Sequence, residues 1–235
     1  MPDIRARQID KASLENILGL LESDVAKEYL IESAVRKGIS EAPEHFQTAF
    51  QYYIREGLID SASHLLKYLS SVGRDSEAKT LYGDGVMRLG HSGETKKLLS
   101  FAESMNDRNA AVEACILLAS SIPRTKDARA EIRGYLVKAL QLCGGTADQT
   151  HLSDPSRTGL YSKVITAMEE NRVYDLAAFT CEKIGQIKRA MRNYENSLDF
   201  GKAKEMAFKL KNPRLASGYD GAEDLASDNP RRDRF

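Results

Sequence analysis

The chain has no tryptophan and only three cysteines and six prolines among its 235 residues, and its 34 basic residues balance 34 acidic ones. A net charge of zero excludes the strong overall field that attracts nucleic acid or an anionic membrane. No apolar run approaches the roughly 18 residues that span a bilayer, and the N-terminus lacks the apolar run of a signal peptide. We therefore expect a cytoplasmic protein with no membrane insertion.

The residue types that usually carry catalysis, cofactors or metals show no functional spacing. The cysteines Cys115, Cys143 and Cys181 are an odd number at wide spacing, which predicts reduced thiols rather than a disulfide framework. The histidines are not at zinc-ligand spacing from each other or from cysteine. The glycine-rich stretches lack the Lys-Ser/Thr end of a phosphate-binding loop. The sequence therefore predicts no enzyme activity, no catalytic residue, no cofactor and no metal site.

One spacing recurs along the chain: a turn residue is followed five positions later by a small residue. The first five occurrences start 16 or 17 residues apart, and the last three start 13 residues apart. Two of the longer steps make about 33 residues, the length of helix-turn-helix repeats that stack into solenoids. We expect the turn residue to end one helix and the small residue to be buried at the next helix crossing. The pairs are Gly57/Ala62, Gly73/Ala78, Gly90/Thr95, Asn106/Ala111, Pro123/Ala128, Arg172/Ala177, Gly185/Ala190 and Leu198/Ala203.

Apolar residues between these turns recur at helical spacing, and no segment alternates apolar and polar residues as a strand would. The pattern predicts an all-α protein that begins with two helices before residue 38. A stretch rich in Gly, Ser, Thr, Asp and Pro predicts a loop at 143–158. This loop would separate an N-terminal helical-repeat array, 1–142, from C-terminal short-helix repeats, 159–211. The tail at 212–235 has the composition of a disordered segment.

Gly83 and Gly85 are unfavourable in the helix that the apolar pattern around them predicts. Glycine inside a helix costs about 1 kcal/mol relative to alanine, because its backbone loses more conformational freedom. Two explanations remain open from the sequence. Either two helices cross very closely at this point, or the helix is broken there.

Three junctions resemble the inter-helix junction of tetratricopeptide repeats, where a turn residue, an Asp/Asn–aromatic pair and an alanine recur at this spacing. The short C-terminal repeats look like the degenerate helical hairpins of vesicle-coat and intraflagellar-transport scaffolds. The resemblance covers residues 44–210 and implies a right-handed α-solenoid of antiparallel helical hairpins, which binds extended peptides or partner helices. The family's tryptophan near the repeat start is absent. The three junctions are 56–66, 171–178 and 198–207.

Two features are candidate binding surfaces. The aromatic cluster of Phe46, Phe50, Tyr52 and Tyr53 could form a peptide-docking groove, but core is favoured, because Phe46, Phe50 and Tyr53 share one helical stripe. Tyr52 lies off that stripe and is the better candidate for an exposed contact. The segment 183–214 carries nine basic and three acidic residues. It could meet an acidic protein or a nucleic-acid backbone, or it could simply form a solubilising face. Its candidate contacts are Lys188, Arg189, Arg192, Lys202 and Lys204.

The leading hypothesis is a non-catalytic interaction scaffold or adaptor that binds another protein or a peptide through a helical-repeat surface. The alternative is a nucleic-acid-associated helical repeat protein that uses the basic C-terminal face. The adjacent carboxylates Glu169 and Glu170 are expected on a solvated helix face rather than in a site.

Overall fold

The computed structural model describes residues 43–144 and 155–219. All regular structure in these two ranges is α-helical, which confirms the predicted all-α class, while the two helices predicted before residue 38 lie outside the described residues. None of the described helices is both long and apolar enough to cross a membrane. We number them α1 (Pro43–Glu56), α2 (Ile59–Ser71), α3 (Asp75–His91), α4 (Thr95–Ser104), α5 (Arg108–Ser121), α6 (Arg129–Leu142), α7 (Pro155–Glu170), α8 (Tyr174–Lys183), α9 (Ile187–Asn196), α10 (Phe200–Lys209) and α11 (Pro213–Ser217).

The chain divides into two compact units, Met1–Met105 and Asn106–Phe235. In the first unit each described helix contacts the next one, and α1 also contacts α3 while α2 contacts α4. This pattern of contacts is the one expected when helices joined by short connections pack side by side around a shared core. The largest side chains that are fully buried in this unit are Phe46, Phe50, Leu66, Leu69, Leu89 and Phe101.

In the second unit α5, α6 and α7 contact one another, and from α7 to α11 each helix contacts the next. The large side chains that fill the core of this unit are Leu136, Ile165, Met168 and Met206. The predicted loop at 143–158 does not coincide with the division between the units, because α6 and α7 lie in the same unit. Residues 155–158 belong to α7 and not to a loop, since Pro155 suits the first turn of a helix. Residues 145–154 lie outside the described residues.

Most connections reverse the chain through one residue with left-handed backbone dihedrals. Gly57 has φ of +75° and donates its N–H to the carbonyl of Ile54. The next residue, Leu58, donates to the carbonyl of Tyr53 over 2.8 Å, which completes a Schellman turn. Leu58 is also the N-cap of α2, so the connection is only two residues long. The same pair of turn hydrogen bonds occurs at Gly73, Arg172, Gly185, Leu198 and Lys211.

The fourth residue of each helix that follows such a turn is buried. Its N–H closes the first hydrogen bond of the new helix, as when Ala62 donates to the carbonyl of Leu58 over 3.0 Å. A small side chain here lets the two helices approach closely after the chain reverses. The predicted burial of six alanines is confirmed, since each is at most 4% exposed. They are Ala62, Ala78, Ala111, Ala177, Ala190 and Ala203.

The predicted pair Gly90/Thr95 is wrong, because the turn lies three residues further along the chain. Gly90 lies inside α3, and the left-handed residue is Gly93, with φ of +73°. The buried residue five positions later is Leu98, which is 5% exposed. Gly90 does not end the helix, because α3 continues to His91.

The pair Pro123/Ala128 is also wrong. Between α5 and α6 the structure describes every residue, and none has a positive φ. Proline fixes φ near −65°, so Pro123 cannot adopt the left-handed conformation that the other turns require. The connection is correspondingly longer, Ala128 is half-buried, and Ile132 takes the buried fourth position of α6.

The chain after Leu210 continues the helical pattern, so the predicted disorder is wrong for residues 212–219. Lys211 is left-handed, with φ of +56°, and the Asn212 side chain accepts a hydrogen bond from the N–H of Leu215. Five positions after Lys211, Ala216 is fully buried against its neighbours. The ring of Tyr219 stacks on Phe200 with 6.3 Å between centroids. Residues 220–235 lie outside the described residues.

The conflict at the two glycines of α3 is resolved in favour of a close helix crossing. The helix is continuous from Asp75 to His91. A Cβ on Gly85 would lie 2.8 Å from Cζ of Phe50 and 2.8 Å from Cε1 of Phe101, so a side chain has no room there. A Cβ on Gly83 would meet no atom within 4 Å.

Replacing Gly85 with alanine should destabilise the first unit by about 1–3 kcal/mol, because the added methyl forces two buried rings apart. Gly83→Ala is the matched control on the same helix. It should stabilise the protein by up to about 1 kcal/mol, since alanine has the better helix propensity and the space is open. Urea unfolding of both variants measures the difference, and equal midpoints would contradict the close crossing.

Replacing Ala62 with leucine should lower the free energy of unfolding by about 1–3 kcal/mol, because the fourth residue of α2 has no space for a larger side chain. The control is Ala128→Leu, at the half-buried N-cap of α6, which should change the denaturation midpoint little. An unchanged midpoint for Ala62→Leu would show that the helices at this junction can separate without cost.

Candidate interaction surface

Tyr52 is buried rather than exposed, so the prediction that it offers an exposed contact is wrong. Only 4% of the residue is accessible, and its ring lies edge-on to Tyr53 at 6.1 Å. From residue 46 to the end of α1 the exposed residues are Gln47, Gln51, Arg55 and Glu56, and Tyr52 lies on the covered side next to Gln51. The guanidinium of Arg55 lies 5.6 Å from the Tyr52 ring centroid. The predicted core stripe is buried, as expected: Phe46, Phe50 and Tyr53.

Arg189, predicted as a partner contact, binds a carboxylate of its own chain. Its Nε and Nη2 donate to the two oxygens of Glu169 over 2.8 and 2.7 Å. Nη2 also donates to Oγ1 of Thr166 over 2.9 Å. Asn193 donates through Nδ2 to the same carboxylate over 2.7 Å. These side chains join α7 to α9, and a bidentate pair of this kind fixes both charges in position.

Glu169 is therefore not on a solvated face, which corrects the sequence-based expectation. Its side chain is 26% exposed, as is that of Arg189. The hydrogen bond from Arg189 lowers the pKa of the Glu169 carboxyl below its usual 4.5; burial opposes the shift, and Asn193 adds to it. The carboxylate is ionised at neutral pH and has its strongest hydrogen-bond donors within the protein.

The buried polar cluster around Asn193 does not have the properties of a catalytic site. Asn193 is 1% exposed, and its Nδ2 lies 3.9 Å from Sγ of Cys181. Burial raises the pKa of the Cys181 thiol to about 11, so the thiol is protonated at neutral pH and is a poor nucleophile. All three cysteines are buried and form no disulfide. The cluster is a structural contact between helices.

A second ion pair holds α10 to α8. Lys209 Nζ lies 2.6 Å from Oε1 of Glu182, and the hydroxyl of Tyr194 donates to Oε2 over 2.8 Å. The Lys209 ammonium lowers the pKa of Glu182. Lys202 Nζ lies 5.3 Å from the Tyr194 ring centroid and 3.7 Å from an oxygen of Asp199. Lys202, also predicted as a partner contact, thus has partners within its own chain.

The basic segment consequently presents fewer available cations than its composition indicates. Lys188 and Arg192 are exposed on α9, and residues four apart lie on one face of a helix. Lys204 is half-buried on α10. Of the five predicted basic contacts, Arg189 and Lys202 have ion-pair partners within the chain. The binding roles of all five remain predictions.

An open groove lies between α5 and α7, where the sequence analysis placed no site. Its volume is about 620 Å³. Ile116 and Leu117 line one side, and Leu117 is 50% exposed although it is a large apolar residue. The other side is lined largely by small residues of α7, which is why the groove is not filled. The residues that line it are Glu113, Ile116, Leu117, Gly159, Ser162, Lys163, Thr166, Ala167 and Glu170.

The groove could have been found only in part from the sequence. Ile116 and Leu117 are adjacent apolar residues on α5, which is ordinary in a helix. On both α5 and α7 the apolar and polar residues are only weakly separated into two faces, so neither helix shows an obvious binding face in its sequence. The groove forms because these two helix faces lie next to each other where α5 contacts α7. That contact joins residues about 50 positions apart, such as Glu113 and Lys163.

No cluster of three or more His, Cys, Asp or Glu side chains able to hold a metal ion occurs in the part of the chain that the structure describes. No model of a known protein family matches the chain, and no curated protein matches it at significant similarity. The tetratricopeptide likeness therefore rests on the junctions alone.

The ion pair of Glu169 with Arg189 gives a stability prediction with a defined pH dependence. Glu169→Gln removes the charge that Arg189 binds, and we expect it to lower the free energy of unfolding at pH 7 by about 1–3 kcal/mol. A carboxyl whose pKa is lowered on folding stabilises the native state above its unfolded pKa. The difference in free energy of unfolding between wild type and Glu169→Gln is thus largest well above pH 4.5. It is lost as the pH falls through the lowered pKa that Glu169 has in the folded state.

Urea unfolding at pH 7 and at acidic pH measures this effect. The control is Glu170→Gln, at the exposed neighbouring carboxylate, which should change stability little at either pH. A difference between wild type and Glu169→Gln that does not shrink on acidification would contradict the assigned ionisation.

Proposed function

We propose that the chain is a non-catalytic interaction scaffold or adaptor of tetratricopeptide-like α-solenoid architecture, which binds another protein or a peptide through a helical surface. The observation that carries the proposal is the open groove between α5 and α7, with half of Leu117 exposed within it. Exposed apolar side chains in a concave surface are typical of protein-binding sites.

The repeated connections support the architectural part of this proposal. Turns with the same pair of backbone hydrogen bonds and the same buried fourth residue occur in both units. Repetition of one local structure is the basis of helical-repeat proteins, in which each helix packs mainly on its neighbours. Such proteins offer extended surfaces for binding rather than an enclosed active site.

The chemistry of the second unit supports binding in preference to catalysis or nucleic-acid contact. The half-buried carboxylates of Glu169 and Glu182 form ion pairs with Arg189 and Lys209, and the Cys181 thiol has a raised pKa. Part of the charge of the basic segment is paired within the chain, at Arg189, Lys202 and Lys209, which disfavours the nucleic-acid alternative. A phosphate backbone binds through several cations that are free to meet it.

Replacing Leu117 with serine should remove apolar contact area from the groove without disturbing the core, so proteins that bind there should be lost. The affinity-tagged chain is incubated with an extract of cells that express it, and the retained proteins are quantified by mass spectrometry. We expect a set of proteins that is retained by the wild type and depleted by Leu117→Ser.

The control is Met87→Ser on α3, which also removes an exposed apolar side chain, 59% accessible, but in the other unit. The Met87→Ser protein should retain the same set as the wild type. Identical retention by all three proteins would contradict the assignment of the groove as an interaction surface.

A further inference from the structure

The charges around the groove between α5 and α7 are not balanced. Lys163 and Glu113 neutralise each other across the groove, since Nζ lies 2.5 Å from Oε1. Glu170 is exposed and forms no ion pair with any side chain that the structure describes. The lining therefore carries one uncompensated negative charge beside an apolar wall.

The basic side chains of α9 do not line the groove. Arg189 approaches the groove at Thr166, but its guanidinium is held by both oxygens of Glu169. Lys188 and Arg192 are on α9 and do not line the groove. In the groove, Glu170 would repel a phosphate or a carboxylate and attract an ammonium or guanidinium group.

The shape of the groove favours a helix as the occupant. The groove runs between two helices that pack side by side, so its walls are side chains and its main-chain groups are already hydrogen-bonded. An extended segment gains most of its affinity from free main-chain groups at a sheet edge, and this surface has none to offer. A helix instead inserts side chains at positions i, i+3 and i+4, which need only apolar space and one or two charges.

We propose that the groove binds an amphipathic, basic helix of a partner protein, which places an apolar side chain against Leu117 and a lysine or arginine beside Glu170. This inference rests on the proposed interaction function and specifies the chemistry of the partner. The small side chains on α7, Gly159 and Ser162 among them, let the partner helix approach closely.

The test uses the full chain and two fluorescent amphipathic peptides. One is built from leucine, alanine and lysine, and the other has glutamate in place of every lysine. Fluorescence anisotropy measures both affinities. We expect the lysine peptide to bind about three- to tenfold more tightly than the glutamate peptide, in line with one or two exposed charge contacts. Leu117→Ser should weaken binding of the lysine peptide about tenfold, because an apolar contact is lost.

Glu170→Lys should reverse the preference between the two peptides. Its control is Glu131→Lys, at an exposed carboxylate in the first turn of α6 that does not line the groove, and this variant should keep the preference for lysine. The same net charge in both variants separates a local effect of Glu170 from a change in overall charge.

Each other outcome overturns a defined part of the argument. If both peptides bind equally well and both depend on Leu117, the groove is an interaction surface but its preference for a basic partner is wrong. If the two charge-reversed variants behave alike, Glu170 does not select the partner. If neither peptide depends on Leu117, both the basic-helix proposal and the assignment of the groove as the interaction surface fail.

Discussion

Most connections between the described helices depend on one backbone constraint: within two residues of a helix end, one residue adopts left-handed dihedrals. The turn then closes with two hydrogen bonds, and the next residue already caps the following helix, as Gly57 and Leu58 do between α1 and α2. Leu198 adopts the same conformation with φ of +63°, which costs a non-glycine residue about 1–2 kcal/mol. Two backbone hydrogen bonds and the burial of Ala203 offset that cost. Helix packing thus selects the turn conformation even where the residue does not favour it.

The same constraint explains how much of the fold could be predicted from the sequence. Spacing alone identified most turns and the six buried alanines, because turn and alanine are separated by a fixed number of backbone units. Gly90 fits the spacing of a turn residue but lies inside α3, because glycine is also tolerated inside a helix. The turn is at Gly93, three residues further along the chain. The turn at Lys211 was missed because lysine has no preference for left-handed dihedrals. Residue type is a weak indicator of this conformation wherever glycine is absent.

The candidate surfaces were harder to predict, because side-chain pairing between distant helices decides which charges are available. Arg189 and Glu169 are 20 residues apart, and no local pattern indicates that they meet. Composition correctly identified a basic segment, but it could not show that part of that charge is neutralised within the chain. The prediction that Tyr52 is exposed is wrong for a similar reason, because the width of the buried face of α1 depends on how α2 and α3 cover it. Helical periodicity gives the centre of a buried face, and tertiary contacts give its edges.

Ion pairs within the chain therefore determine which charged side chains are available to bind a partner. The carboxylates of Glu169 and Glu182 and the cations that bind them stabilise contacts among α7, α8, α9 and α10, so they are poorly placed to bind a partner. Leu117 is one of several exposed apolar side chains of the second unit, and it lies in the same groove as the exposed carboxylate of Glu170. Breaking an internal pair to bind a ligand would leave a partly buried charge uncompensated, whereas contact with the groove requires no such loss. The proposed binding site between α5 and α7 therefore differs from a site at Arg189 or Lys209, where a partner would compete with an ion pair of the chain itself.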